Sequence, residues 1–265
     1  MKISTFVYLI QLLNMPGKRL LEICVESVPS AINAQTGGAD RIELCDNLYQ
    51  GGITPSAGKI TLAKKHLHIP VFVLIRPRKG DFLYTPTEFD NLLEDIVLAR
   101  QLGADGIVSG ALLSDGNIDT ARTRLMLQAA EGLPFTFHRA FDMCRDPLRA
   151  IDELAELGVQ RILSSGQQPN AVLGFDNLRR FAQYAAGRIS IMACGSLMPH
   201  NVGPLAEVPE IQEFHAAVRA TVRSEMQYRG AVNMGDEAAD EEFNWTETDM
   251  DLVAGLRRGI FSIKD

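Results

Sequence analysis

Eight short apolar runs recur along this chain, each followed by a stretch whose apolar residues fall three or four positions apart. The first two runs are Leu21-Glu22-Ile23-Cys24 and Ile42-Glu43-Leu44-Cys45. Between them Val28, Ala31, Ile32 and Ala34 follow helical spacing, and Gly37-Gly38 supplies the stop. The same reading gives strands over residues 70–76, 106–110, 135–139, 161–163, 188–192 and 212–215. Helices are predicted over residues 56–67, 87–102, 118–130, 146–157 and 170–185, with a short one near 199–207. Three helix ends repeat a phrase: Gly38-Ala39-Asp40-Arg41-Ile42, Gly103-Ala104-Asp105-Gly106-Ile107 and Gly158-Val159-Gln160-Arg161-Ile162. Each is a helix-stopping glycine followed by entry into a strand.

Strict strand–helix alternation predicts a parallel sheet. Eight units in 265 residues favour a closed (β/α)8 TIM barrel, a single α/β domain, over an open doubly wound sheet. No GxGxxG follows the first strand, which disfavours a dinucleotide fold. The barrel is expected over residues 20–265. Periodicity weakens late, so an acidic insertion is expected around residues 216–247, before a closing helix over 248–260. Residues 236–251 carry eight acids and no Lys or Arg; without those eight the formal charge of −7 becomes +1. The acidity therefore belongs to one late segment, read as a mobile surface loop.

Composition adds exclusions. A net charge of −7 and a pI near 5.3 argue against a nucleic-acid or anionic-membrane surface. Four cysteines without a CxxC pair suit free thiols in a reducing cytosol rather than a disulfide framework. The apolar run over residues 6–13 contains Gln11 and falls short of the roughly 20 residues a spanning helix needs. Residues 1–19 read as a poorly ordered N-terminal extension, within which Met15 is a second candidate start.

Alternation puts Glu22 and Cys24 on one face of the first strand, and Glu43 and Cys45 on one face of the second. In a barrel, sites form where strands end and the following loops begin. Those positions hold Cys24, Cys45, Arg76, Arg78, Asp81, Ser109, His138, Arg139, Asp142, Ser164, Ser165, Cys194 and His215, with Glu22, Glu43 and Glu213 deeper. Three readings compete for this polar ring. The glutamates could pair with Arg41, Arg76 or Arg139 as a buried structural network. Alternatively, Cys24 and Cys45, on neighbouring strands at equal height, could share a soft ion; two ligands suit linear Cu(I), whereas zinc wants four. The third reading is catalysis on a small anion. There Glu22, Glu43, His138 and Asp142 are the candidates for moving protons, and Arg76, Arg78, Asp81, Arg139, Ser165 and His215 for holding substrate. Ser164-Ser165-Gly166 and Gly195-Ser196 would offer backbone N–H groups to an anion. No lysine stands at a strand end, so a Schiff-base aldolase is not indicated.

Longer motifs point further. Leu-Glu-Ile-Cys-Val-Glu-Ser from Leu21, Gly-Gly-Ala-Asp-Arg-Ile-Glu-Leu-Cys from Gly37 and Gly-Gly-Ile-Thr-Pro-Ser from Gly51 resemble the CutC copper-homeostasis family. So do Ile-Arg-Pro-Arg-Lys-Gly-Asp-Phe from Ile75, Phe-His-Arg-Ala-Phe-Asp from Phe137 and Glu-Phe-His-Ala from Glu213. The resemblance implies a cytosolic TIM barrel, a homo-oligomer (dimer or tetramer) linked to copper tolerance. It also implies Cu(I) binding, with the family's copper cysteines falling on Cys24 and Cys45. One departure stands out: relatives carry Pro-Gly-Gly-Gly after the seventh strand, where this chain has Ala193-Cys194-Gly195-Ser196. That removes backbone freedom which close approach to an anion would use, and it adds a thiol at the mouth.

Overall fold

The computed structural model describes residues 19–230, 232 and 241–262. Residues 1–18 of the expected extension, and 233–240 of the acidic stretch, lie outside the described residues. The eight apolar runs form eight parallel strands: β1 (Leu20–Val25), β2 (Arg41–Leu44), β3 (Val71–Leu74), β4 (Gly106–Ser109), β5 (Phe135–Phe137), β6 (Arg161–Ser164), β7 (Ser190–Ala193) and β8 (Glu213–Ala216). They pair in chain order and β8 closes on β1, making the predicted (β/α)8 barrel. The helices that follow the strands are α1 (Val28–Thr36), α2 (Ala57–His66), α3 (Pro86–Gln101), α4 (Thr120–Ala129), α5 (Pro147–Glu156), α6 (Phe175–Ala185), α7 (Gly203–Ala206) and α8 (Met250–Phe261). Among the described residues no helix is long and apolar enough to cross a membrane.

Every residue of β1 to β6 is buried, because helices cover one face of the sheet and side chains fill the other. Leu21, Ile23, Ile42, Leu44, Val71 and Val73 pack outward into the main core, with Ala31, Ile60 and Leu92 from the helices. Alternation then turns Glu22, Cys24, Arg41, Glu43, Phe72 and Leu74 into the barrel. Helix starts are secured by side chains: Ser27, Ser56, Asp119, Asp146 and Asp249 cap α1, α2, α4, α5 and α8. Thr85 and Glu88 form a reciprocal capping box on α3.

Several boundaries differ from the periodicity. Strand β7 starts at Ser190 rather than residue 188. Helix α6 starts at Phe175 rather than residue 170, because the Ala171 N–H is taken by the Gly195 carbonyl at 2.9 Å, which draws that segment into a turn. The region read as a loop contains two antiparallel strands, β9 (Arg219–Arg223) and β10 (Asn244–Thr248), with Trp245 opposite Val222. Much of this hairpin is exposed, so no apolar alternation announces it. Its far end is fixed to α1: the Thr248 N–H donates to Ser30 Oγ at 3.0 Å, and Asn33 Nδ2 donates to the Thr248 carbonyl at 3.2 Å. Thr248 therefore ends a strand, and the closing helix begins two residues later.

Candidate functional site

The barrel interior below the mouth is ionic. Phe72 lies at its centre with the Arg41 guanidinium 4.5 Å from its ring centroid and that of Arg161 at 5.2 Å. Gly106 has no side chain because a Cβ there would stand 2.5 Å from the Phe72 ring. Arg41 pairs with Glu22 through Nε and with Glu213 through its terminal nitrogen at 2.6 Å; Arg161 reaches Glu213 at 3.0 Å. Burial alone would raise the Glu22 carboxyl, but Arg41 and His215 outweigh it and hold its pKa down to about 2. The structural-network reading thus holds for Glu22 and Glu213, with Arg41 and Arg161 as partners instead of Arg76 or Arg139. Arg161 escaped the sequence reading although it occupies the same place as Arg41 in the repeated helix-to-strand phrase.

Above this layer the strand register decides the contacts. Residues of β1 pair with residues nineteen positions on, so Glu22 lies opposite Arg41, and Cys24 opposite Glu43. The two Glu-x-Cys motifs are therefore not level, as a side-by-side reading had them. Barrel closure staggers neighbouring strands, and here it sets Cys24 between Glu43 and Cys45. The Cys24 thiol donates to Glu43 Oε2 at 2.9 Å and lies 3.6 Å from Cys45 Sγ. Cys45 is fully buried and also donates to the Val25 carbonyl at 3.4 Å. From β8, His215 Nδ1 meets Glu22 Oε1 at 2.7 Å, and its Nε2 faces Glu43 Oε2 at 3.7 Å. One donor atom from each of Cys24, Glu43 and His215 falls within 4.8 Å of the others. The hydrogen bond to Cys45, burial and neighbouring negative charge all push the Cys24 thiol well up. For Cys45 the contact with the Cys24 thiol acts downward, but burial and nearby carboxylates prevail and raise it. Burial raises Glu43 against the opposing pull of His215. Burial opposes charge on His215, but its bond to Glu22 and the two carboxylates raise it.

Cys24, Glu43 and His215 open onto a cavity of about 140 Å³, which Arg76, His138 and Arg139 also line. Arg76 follows β3, and the Gly51-Gly52 turn is built around it. Both glycines take positive φ, 85° and 83°, so the successive carbonyls of Gln50, Gly51 and Gly52 accept from one terminal nitrogen of Arg76 at 3.3, 3.2 and 2.9 Å. The Gly80 carbonyl accepts from the other at 2.7 Å. The guanidinium is 6% exposed, and its Nε has no hydrogen-bond partner among the described residues. His138, 4% exposed, accepts the Ala140 N–H on Nδ1 at 3.3 Å, which puts the ring proton on Nε2; that atom is also unpartnered among the described residues. Burial, and then the charge of Arg76, lower its pKa to about 3 and keep the ring neutral.

The other expected residues lie elsewhere. Arg78 turns away to Glu88 Oε1 at 2.6 Å, Asp81 Oδ1 at 3.1 Å and the Leu83 carbonyl at 2.9 Å. Asp142, in the short helical turn after β5, reaches the turn after β6, accepting from Ser164 Oγ and from the N–H groups of Ser165 and Gln167 at 2.6 to 3.1 Å. It also accepts from Arg139 Nε at 2.8 Å and from Ser165 Oγ at 3.0 Å. Of the backbone N–H groups expected to meet an external anion there, that of Ser165 is taken by this internal carboxylate and that of Gly166 donates to Ser164 Oγ at 2.9 Å. Gly195 is likewise packed: a Cβ would approach Ser165 Cβ to 2.9 Å.

The model of the CutC family matches residues 19–220. A family protein CutC from Chromobacterium violaceum is 44% identical over 243 residues, covering 91% of this chain and 98% of the relative. The human copper homeostasis protein cutC homolog is 44% identical over 238 residues, covering 89% of this chain and 87% of that protein. A solved CutC structure from Streptococcus agalactiae superposes with a TM-score of 0.70 at 36% identity, over 74% of this chain and 97% of that one.

Proposed function

This chain belongs to the CutC family, and we propose that it serves copper homeostasis by holding Cu(I) on Cys24 and Cys45 at the barrel mouth. The observation that carries this reading is the 3.6 Å approach of two buried thiols. Thiolates are soft donors that favour Cu(I) over hard cations. The spacing also constrains the geometry. Two metal–thiolate bonds of about 2.3 Å, the length familiar from zinc, span about 4.6 Å in line, whereas 3.6 Å corresponds to a bend of about 100°. A bent pair leaves room for a third donor. His215 Nε2 is the apt one, since imidazole suits copper better than the Glu43 carboxylate does. Both thiols are pushed above their ordinary range, so the metal has to displace their protons. A titration of Cu(I) against a competing chelator tests the reading. Affinity should rise with pH, by about one log unit per pH unit for each proton displaced, and should collapse in Cys24→Ser/Cys45→Ser. Equal, weak affinity in both proteins would sink it.

A second reading, an enzyme or receptor for a small anionic metabolite, is favoured by the two arginines, Arg76 and Arg139, that line one cavity with the neutral His138. Its test is whether inorganic phosphate or small carboxylates bind the metal-free protein at all.

A further inference from the structure

Of the three glutamates inside the barrel, Glu43 alone has no arginine against it among the described residues. Glu22 and Glu213 are held by Arg41 and Arg161. Glu43 is 4% exposed, and its one ion-pair partner among the described residues is the His215 imidazole at 3.7 Å, which Glu22 shares. It also accepts from the Cys24 thiol, which at 2.9 Å stands closer to Glu43 than to Cys45. A buried carboxylate is costly without a counter-charge. A cation between Cys24, Glu43 and His215 would supply one.

The three side chains have the spacing of a metal set. Their donor atoms lie within 4.8 Å of one another, and all three residues line the mouth cavity. Zinc bonds of about 2.0–2.3 Å at tetrahedral angles place ligand atoms about 3.3–3.5 Å apart. The 2.9 Å from Cys24 Sγ to Glu43 Oε2 and the 3.7 Å from His215 Nε2 to the same oxygen bracket that spacing. His215 is also oriented as a ligand. Its Nδ1 donates to the Glu22 carboxylate at 2.7 Å, and Arg41 fixes Glu22 in turn. The lone pair is then on Nε2, the nitrogen that faces Glu43. A carboxylate behind a metal-bound histidine fixes tautomer and ring in this way. The donor types narrow the ion: Cu(I) has no use for a carboxylate and hard cations none for a thiolate, whereas zinc takes thiolate, imidazole and carboxylate alike. Three protein ligands are the complement of a zinc site that keeps a position for water. Cys45 is not a member of this group.

We infer that the barrel mouth is also a site for a zinc-class divalent ion, held by Cys24 Sγ, the Glu43 carboxylate and His215 Nε2. The ion takes the place of the Cys24 proton, which leaves to solvent. The site does without Cys45 but shares Cys24 with the copper pair, so the two ions exclude each other.

Calorimetric titration of the full-length, reduced, metal-free protein with Zn²⁺ tests this, with Cu(I) affinity against a chelator measured alongside. Zn²⁺ should bind at one ion per chain. Glu43→Gln and His215→Phe should each weaken it at least tenfold, while Cys45→Ser should hold Zn²⁺ within about threefold. Because any of these variants can fail to fold, Co²⁺ bound to the wild-type protein supplies a second readout. Its absorption should show the intense visible bands of a four-coordinate ion and a charge-transfer band of one thiolate rather than two. A six-coordinate spectrum without a thiolate band overturns the inference. So does loss of Zn²⁺ affinity in folded Cys45→Ser together with a two-thiolate band, which would assign the ion to the cysteine pair. Failure of Zn²⁺ to bind while Cu(I) binds tightly removes this inference and leaves the copper reading standing. Zn²⁺ binding without tight Cu(I) binding supports it and removes the copper reading instead.

Discussion

His138 shows how one residue's surroundings fix its chemistry. Its Nδ1 is committed to the Ala140 N–H, and burial beside Arg76 brings its pKa from 6.5 to about 3. Between those values the unfolded chain binds a proton that the folded protein refuses. Stability is therefore fully present above pH 6.5 and is lost as pH falls toward 3, by up to about 1.4 kcal/mol per pH unit. Glu22, lowered from 4.5 to about 2, adds a loss of the same sign only below pH 4.5. His215, which is raised, acts oppositely: its contribution is present below 6.5 and lost as pH rises through its folded value. Urea denaturation at pH 6.5 and 5.0 should show that His138→Phe abolishes much of the wild-type loss across that interval. An unchanged slope would mean that the ring is protonated in the folded state.

At the scale of elements, the loop between β3 and α3 folds around Arg78 and delivers Phe82 to the mouth. Arg78 looks from the sequence like a ligand-binding arginine, yet Glu88, which it meets, is also the reciprocal cap of α3. Its hydrogen bond to Glu88 raises its pKa against the downward effect of burial. Arg78→Ala should lower stability by about 1 kcal/mol, the scale of a half-exposed ion pair and a weakened cap, measured by urea denaturation. A variant that kept full stability and lost only affinity for a small anion would return Arg78 to a ligand-contacting role.

Across the whole molecule, the barrel is filled at the level of Phe72 by charge. Glu22 and Arg41 come from β1 and β2, Arg161 from β6 and Glu213 from β8, so the network ties the first strands to the last. Removing one member of a buried ion network leaves its partners desolvated and unpaired. Arg41→Met should cost about 3–5 kcal/mol in chemical denaturation. Adding Glu22→Gln should recover part of that, because the orphaned carboxylate is then neutral and the two changes share one contact. Strict additivity of the two losses would show that the pair is not coupled.

The chain order of apolar runs, glycine stops and helix caps is local information, and it was sufficient for eight βα units and a closed barrel. Alternation was sufficient to put Glu22 with Cys24, and Glu43 with Cys45, on shared faces, and motif resemblance reached the family. The hairpin of β9 and β10 was not legible, since its exposed strands need no apolar pattern. Nor was the division of labour among the mouth residues. Arg76, Arg78 and Arg139 are alike in sequence, but a glycine turn encloses the first, a helix cap takes the second, and the third reaches Asp142 and Ser165. The pairing of Cys24 with Glu43 depends on the stagger between β1 and β2, which the closure of all eight strands sets together. Sequence determined which groups stand at the strand ends; tertiary structure decided which of them meet, because register is a property of the closed barrel and not of any one strand.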